Sequence, residues 1–323
     1  MFLSFLAFVA GLIILVGGAE GLVRGASSLA ARLRVSPLVI GLTIVSLGTS
    51  APELTVNLIS AFQGSTDLAV ANVVGSNIAN LFLILGVGAI IVPLTVKVST
   101  VWKEIPLALL GVLLILVMTS DRLLDGGTTN AITRTDGIQL LTLMAVFMYY
   151  IYNMAKNDRK KDKDGLAGDI PNMSVPLSTL FTIGGLVGLV VGGKLLVSGA
   201  VNIAASAGLS EAMIGLTIVA IGTSLPELAT SVVAALRKQA DIAIGNAVGS
   251  NIFNVFFVLG TTSTIAPLPV SDGLRFDILV SIFATLLLFA YMFIGQKHRL
   301  TRWEGITFVT LYAGYLTYLV IRG

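Results

Sequence analysis

The chain has no cysteine, a single histidine (His298) and charged side chains at only 11% of its 323 positions. Without cysteine there are no disulfides and no thiolate metal sites, and one histidine rules out an all-protein imidazole cage. Neither absence identifies a compartment. The scarcity of charge is matched by an excess of apolar residues, 55% of the chain, with a mean hydropathy of +0.95. A soluble core has no use for so much apolar surface. The length would suit two soluble domains, but apolar runs of about 20 residues, enough to cross roughly 30 Å of hydrocarbon, recur throughout. The first run, Phe2 to Val23, has no basic n-region and is longer than a typical signal-peptide core, so it reads as a retained span. The net charge of +3 is read as an orientation signal rather than a nucleic-acid patch, because in a membrane chain the placement of Lys and Arg matters more than their total.

The apolar stretches predict ten spans, centred near residues 13, 48, 80, 112, 144, 187, 222, 254, 286 and 312. One hydrophilic segment, Lys156 to Ser174 (KNDRKKDKDGLAGDIPNMS), divides them five and five and reads as a solvated linker. The expected organisation is therefore an all-α polytopic membrane protein: a first five-helix repeat over 1–155, a linker over 156–174 and a second five-helix repeat over 175–323. With the linker in the cytoplasm both termini lie outside. Fifteen of the twenty Lys and Arg residues then fall inside, and Arg122, Arg134, Arg275 and Arg322 fall outside. That is the positive-inside bias. Lys194 alone lies within a span. Five is an odd number, so the second repeat enters the membrane inverted, and corresponding loops do carry opposite charge character: RLR at 32–34 against SAG at 206–208.

The halves repeat in detail. Residues 39–54 (VIGLTIVSLGTSAPEL) and 213–228 (MIGLTIVAIGTSLPEL) share twelve of sixteen positions at an offset of 174, and DLAVANVVGSNIAN from Asp67 shares nine of fourteen with DIAIGNAVGSNIFN from Asp241. Paired Gly/Pro-interrupted apolar segments at matching places in two halves point to the midplane site of a repeat-built transporter. Pro52 and Pro226 lack an N–H and clash with the carbonyls of Gly48 and Gly222, so each helix must kink or open there. Ser46, Thr49, Ser50 and Glu53 share one helix face, as do Thr223, Ser224 and Glu227, with Ala220 in place of Ser46. On the following spans Asn72, Ser76 and Asn80 recur four residues apart, as do Asn246, Ser250 and Asn254. An acid at a helix centre costs on the order of 3 kcal/mol to insert, so Glu53 and Glu227 are read as functional. Ser46, Thr49, Thr223, Ser76 and Ser250 suit close packing or ligation equally. Asn72, Asn77, Asn246 and Asn251 read as interhelical hydrogen-bonding residues, and Glu20 and Lys194 as snorkelling or structural. Every donor is oxygen, which suits hard cations such as calcium or sodium; transition metals usually recruit imidazole or thiolate. Two carboxylates give −2, matching one divalent or two monovalent ions.

GTSAPE at 48–53, GSNIAN at 75–80, GTSLPE at 222–227 and GSNIFN at 249–254 resemble the two alpha-repeats of the cation/calcium exchanger superfamily, most closely its prokaryotic sodium/calcium exchangers. The resemblance implies a compact antiporter of the plasma membrane, the inner membrane in a prokaryote. Spans 2, 3, 7 and 8 would enclose the ions, and spans 1 and 6 would slide across them. It further implies that Glu53 and Glu227 ligate calcium with the main-chain oxygens of Thr49 and Thr223, and that Asn80 and Asn254 line the centre. Flanking sodium positions would use Ser50, Ser76 and the Ser46 carbonyl on one side, and Ser224, Ser250 and the Ala220 carbonyl on the other. Some relatives carry aspartate where this chain has Asn254, so potassium co-transport is not expected. The 19-residue linker is too short for a regulatory domain.

The expected function is sodium/calcium antiport, with sodium and calcium as transported substrates, no cofactor and a site complete in one chain. A proton-coupled cation antiporter of the same fold and a passive cation channel are the alternatives. An intramembrane enzyme is disfavoured, because no nucleophile–base pair accompanies the two glutamates.

Overall fold

The computed structural model describes residues 2–63, 66–124, 126, 129–161, 173–206 and 222–322. Almost all of this is helix. In chain order the long elements are α1 (Phe2–Leu33), a bent pair α2 (Pro37–Thr49) and α3 (Ala51–Phe62), α4 (Leu68–Ile91), α5 (Val98–Met118), α6 (Arg134–Lys161), α7 (Val175–Ser206), α8 (Leu225–Leu236), α9 (Ala240–Ile265), α10 (Leu274–Tyr291) and α11 (Arg302–Arg322). Among the described residues eight helices are long and apolar enough to cross a membrane, and α2 with α3 makes a ninth. The expected seventh span is represented by α8; its first half falls within 207–221, outside the described residues, as does most of the linker. The chain is a multi-pass membrane protein.

α1 runs ten residues past the expected end of the first span, to Leu33, because Arg24 folds back on Glu20 at 2.5 Å and the following GASSLAARL favours helix. Its partner is α7. The two lie antiparallel, and glycines spaced by seven, Gly11, Gly18 and Gly25 against Gly185, Gly192 and Gly199, let the backbones touch. A methyl group at Gly192 would lie 2.4 Å from the Leu15 amide nitrogen, and one at Gly18 would lie 2.7 Å from that of Leu189. A seven-residue period keeps such positions on one helix face. The outward face is apolar and exposed, with Ile13, Val16, Leu180, Ile183 and Val187 turned to the lipid.

The remaining helices form a separate cluster whose centre is α4 and α9. α9 is 94% buried, whereas α11 at the periphery is 17% buried, so the ion-facing sequence signatures sit where lipid does not reach. α2 crosses α9 at Gly41 and Gly245, whose Cα atoms leave no room for side chains, and at Ser46 over Gly249. Two short antiparallel ribbons, Leu94–Thr95 with Arg299–Leu300 and Ala131–Ile132 with Leu268–Pro269, tie segments far apart in sequence at the helix ends.

The α1–α7 contact predicts an asymmetry between neighbouring glycines. Gly192→Ala forces backbone apart and should cost about 1–3 kcal/mol, whereas Gly184→Ala, with nothing near its added carbon, should be neutral or slightly stabilising. Thermal melting of the detergent-solubilised variants tests this; equal melting temperatures would show that the close approach carries no stability.

Candidate ion-binding site

The first signature helix breaks as Pro52 requires, and the described part of the second starts a new helix at Leu225 ahead of Pro226. The first bends by 41° between Thr49 and Ala51, with Ser50 outside helical geometry (φ −83°, ψ 4°), and Ser224 adopts nearly the same angles (φ −86°, ψ 4°) ahead of α8. Pro52 and Pro226 occupy the first turn of the new helix, where a missing N–H costs nothing. Each glutamate follows at once in that first turn, where free N–H groups favour a carboxylate. Ahead of the first break, and again from Ala79 and Asn254, the backbone widens into π-turns over Gly41–Val45, Ala79–Leu85 and Asn254–Leu259. Nothing in the sequence signalled these, although such bulges cluster at functional sites.

The expected site residues come together. Ser46, Thr49, Ser50, Glu53, Ser76, Asn80, Ser224, Glu227, Ser250 and Asn254 are all buried. Ser76 donates to Glu53 Oε1 at 3.3 Å, and Ser50, from the other half, reaches Glu227 Oε1 at 3.2 Å. Ser224 lies 3.4 Å from Ser76, and Thr49 lies 3.5 Å from Ser250. Ser46 donates its hydroxyl instead to the Gly41 carbonyl of its own helix at 2.6 Å, with the Gly245 carbonyl 3.1 Å away across the crossing, and its own carbonyl accepts from the Ser50 amide at 2.9 Å. Ala220 lies outside the described residues.

Five buried side-chain oxygens of this cluster have no hydrogen-bond partner among the described residues: Glu53 Oε2, Glu227 Oε2, Asn80 Oδ1, Asn254 Oδ1 and Thr223 Oγ1. Four of them can only accept. Such acceptors cost about 1–3 kcal/mol each when buried and unpaired, and ionised carboxylates cost more. Among the described residues neither glutamate has a basic partner. Nor do three acidic, cysteine or histidine side chains converge anywhere in those residues. All-oxygen acceptors of this kind are the donor set that hard cations prefer.

The asparagines explain why the oxygens point inward. Asn80 donates its amide nitrogen to Asn251 Oδ1 at 2.8 Å, and Asn254 donates to Asn77 Oδ1 at 3.1 Å. Asn77 and Asn251 in turn donate to each other's main-chain carbonyls at 3.4 and 3.2 Å. Each central amide is thus held through its nitrogen by the other half, and its own oxygen has no hydrogen-bond partner among the described residues. Asn246 accepts from Thr49 at 2.9 Å and donates to Ser231 at 3.0 Å, while Asn72 donates to Asn57 at 2.8 Å. The interhelical reading of these four asparagines holds. Asn57 and Ser231, which sequence reasoning passed over, lie four residues after the glutamates on the same face; that spacing was the available signal. Glu20 bonds Arg237 at 3.0 Å as well as Arg24, a structural role. Two further buried acids, Glu104 beneath Tyr150 and Asp277 beside Tyr315 and Arg322, stand apart from the site and were not foreseen, because they sit at span ends among loop charges.

Comparison with known proteins agrees with this geometry. The family described as sodium/calcium exchanger protein matches residues 3–153 and 177–321. The chain is 39% identical to the putative antiporter CaxA of Alkalimonas amylolytica over 98% of both proteins, and 37% identical to the inner membrane protein YrbG of Escherichia coli K12 over 89% of each. It is 32% identical to the sodium/calcium exchanger MaX1 of Methanosarcina acetivorans over 98% of both. Among solved structures, the sodium-calcium exchanger NCX_Mj superposes with a TM-score of 0.82 at 33% identity, covering 98% of each chain.

If the amide locks orient the site, Asn251→Ala and Asn77→Ala should each weaken cation binding by roughly tenfold, the loss of about 1–2 kcal/mol from freeing a buried amide. The readout is the rise in melting temperature on titrating sodium or calcium; an unchanged titration in both variants would show that amide orientation does not govern binding.

Proposed function

From the chain's membership of the sodium/calcium exchanger protein family, we propose that it is a secondary antiporter exchanging sodium for calcium by alternating access. The observation that carries this is the set of buried, unpartnered carboxylate and amide oxygens, with two acids and no basic neighbour. A charge of −2 is neutralised by one calcium or by two sodium ions, and both must use Glu53 and Glu227. Binding is therefore mutually exclusive, which is what exchange requires.

In this reading calcium lies between Glu53 and Glu227, with Thr49 and Thr223 contributing main-chain oxygens and Asn80 and Asn254 lining the centre. Sodium ions flank it beside Ser50, Ser76 and the Ser46 carbonyl, and beside Ser224, Ser250 and the Ala220 carbonyl. The fold is ten spans in two inverted repeats, 1–155 and 175–323, joined by a cytoplasmic linker with both termini outside. The cytoplasmic concentration of Lys and Arg supports that orientation. The glycine-lined α1–α7 pair is the moving unit, supported by its extensive mutual contact. A single chain supplies the whole site.

Calcium-45 uptake into proteoliposomes loaded with sodium, potassium or a proton gradient tests the coupling. Uptake is expected with the sodium gradient alone and should fall to background in Glu53→Gln and Glu227→Gln. Uptake driven by protons in sodium-free medium would instead establish a proton-coupled antiporter, and wild-type flux in the variants would remove the two glutamates from the mechanism.

A further inference from the structure

α7 carries the one basic residue placed within a span. The helix leaves the linker at Val175, so Lys194 lies 19 residues along it, about 28 Å from the linker end. There it lines a cavity of about 340 Å³ together with Thr55, Pro52, Val197, Ser198 and Thr223. The cavity touches the ion site itself, because Pro52 and Thr223 belong to the two helix breaks that set Glu53 and Glu227. Lys194 is exposed and has no hydrogen bond or ion pair among the described residues. Its counterpart at the 174-residue offset, Glu20, is nearer the linker face and is clamped by Arg24 and Arg237. The two positions therefore differ: Glu20 is a compensated carboxylate, whereas Lys194 is an ammonium group in a cavity wall without an ion pair among the described residues.

We propose that Lys194 is a specificity-determining residue: its charge raises the potential of the access cavity on the face opposite the linker, and so disfavours divalent entry from that face more than monovalent entry. The inference rests on the cation exchange proposed above. Coulomb energy scales with ion charge, so a weakening of about threefold for sodium becomes about ninefold for calcium. In the proposed orientation this face is external, where admitting sodium while rejecting calcium favours net export.

The absence of cysteine permits a readout independent of transport. Ser198→Cys places a single thiol in the cavity wall, to be reacted in membranes with a cationic and an anionic methanethiosulfonate of similar size. The anionic-to-cationic rate ratio should be highest beside Lys194. Lys194→Gln should lower it, and Lys194→Glu lower it further, by about threefold or more per step and less at high salt. Equal ratios in all three backgrounds, or no reaction with either reagent, would overturn the proposal.

Transport gives the second arm, comparing right-side-out with inverted vesicles. Lys194→Glu should lower the half-saturating calcium concentration more than that of sodium in right-side-out vesicles and leave inverted vesicles unchanged, and Lys194→Arg should match wild type. Equal shifts at both faces, or Lys194→Arg as impaired as Lys194→Glu, would assign the lysine a packing role instead. Wild-type protein without sodium-driven calcium uptake would sink the exchange reading, while the thiol rates would still report the sign of the cavity's potential.

Discussion

Two carboxylates at the centre of a membrane protein, with no basic side chain to meet them among the described residues, set the terms for the rest of this structure. Burying an unpaired ion costs several kcal/mol, and an arginine beside each glutamate would have removed the cost by closing the site permanently. The fold leaves it in place. Helix starts at Ala51 and Leu225 bring each glutamate to a first turn, a serine of the first half donates to one oxygen of each, and the other oxygen is left without a hydrogen-bond partner among the described residues. Breaks of this kind are tolerated at membrane depth only inside protein, which is why α4 and α9 are wrapped by less buried helices.

Ligand geometry here is a property of the contact between halves, not of either half alone. Ser50 reaches Glu227 across that contact, and each central asparagine is held by an asparagine of the other half. Gly41 against Gly245, and Ser46 over Gly249, set the distance at which this happens. A small shift between halves would therefore disturb several ligands together, so ion occupancy and helix packing are coupled through the same hydrogen bonds.

The duplication, the breaks at Pro52 and Pro226 and the convergence of Glu53, Glu227 and their serines were legible in the sequence, because each follows from a local rule: an offset, a missing N–H or a shared helix face. The directions of the amides were not. Whether Asn80 presents oxygen or nitrogen depends on Asn251, 171 residues away. The π-turns at Ala79 and Asn254 were equally hidden, since no residue type demands them. The glycine heptads of α1 and α7 stood in plain view as spacings of seven, yet a single helix does not say which other helix will match it. Glu104 and Asp277 escaped for the opposite reason: their neighbours in sequence are charged, and only the fold shows that Tyr150 and Tyr315 cover them.

The α1–α7 pair connects this electrostatics to movement. α7 presents two apolar side chains to the signature segments, Leu186 against Gly48 and Val197 against Gly222, which a methyl group at either glycine would force aside. For the pair to slide across the site, such apolar surface must pass over Glu53 and Glu227. With the charge compensated, the surface covers a neutral site at little cost. In the proposed cycle, a bare site would have to hold two uncompensated carboxylates beneath that surface. A penalty of even about 4 kcal/mol would slow the crossing by roughly a thousandfold. Return of the empty carrier would then be suppressed, and exchange rather than leak would follow from two uncompensated glutamates under a moving apolar face.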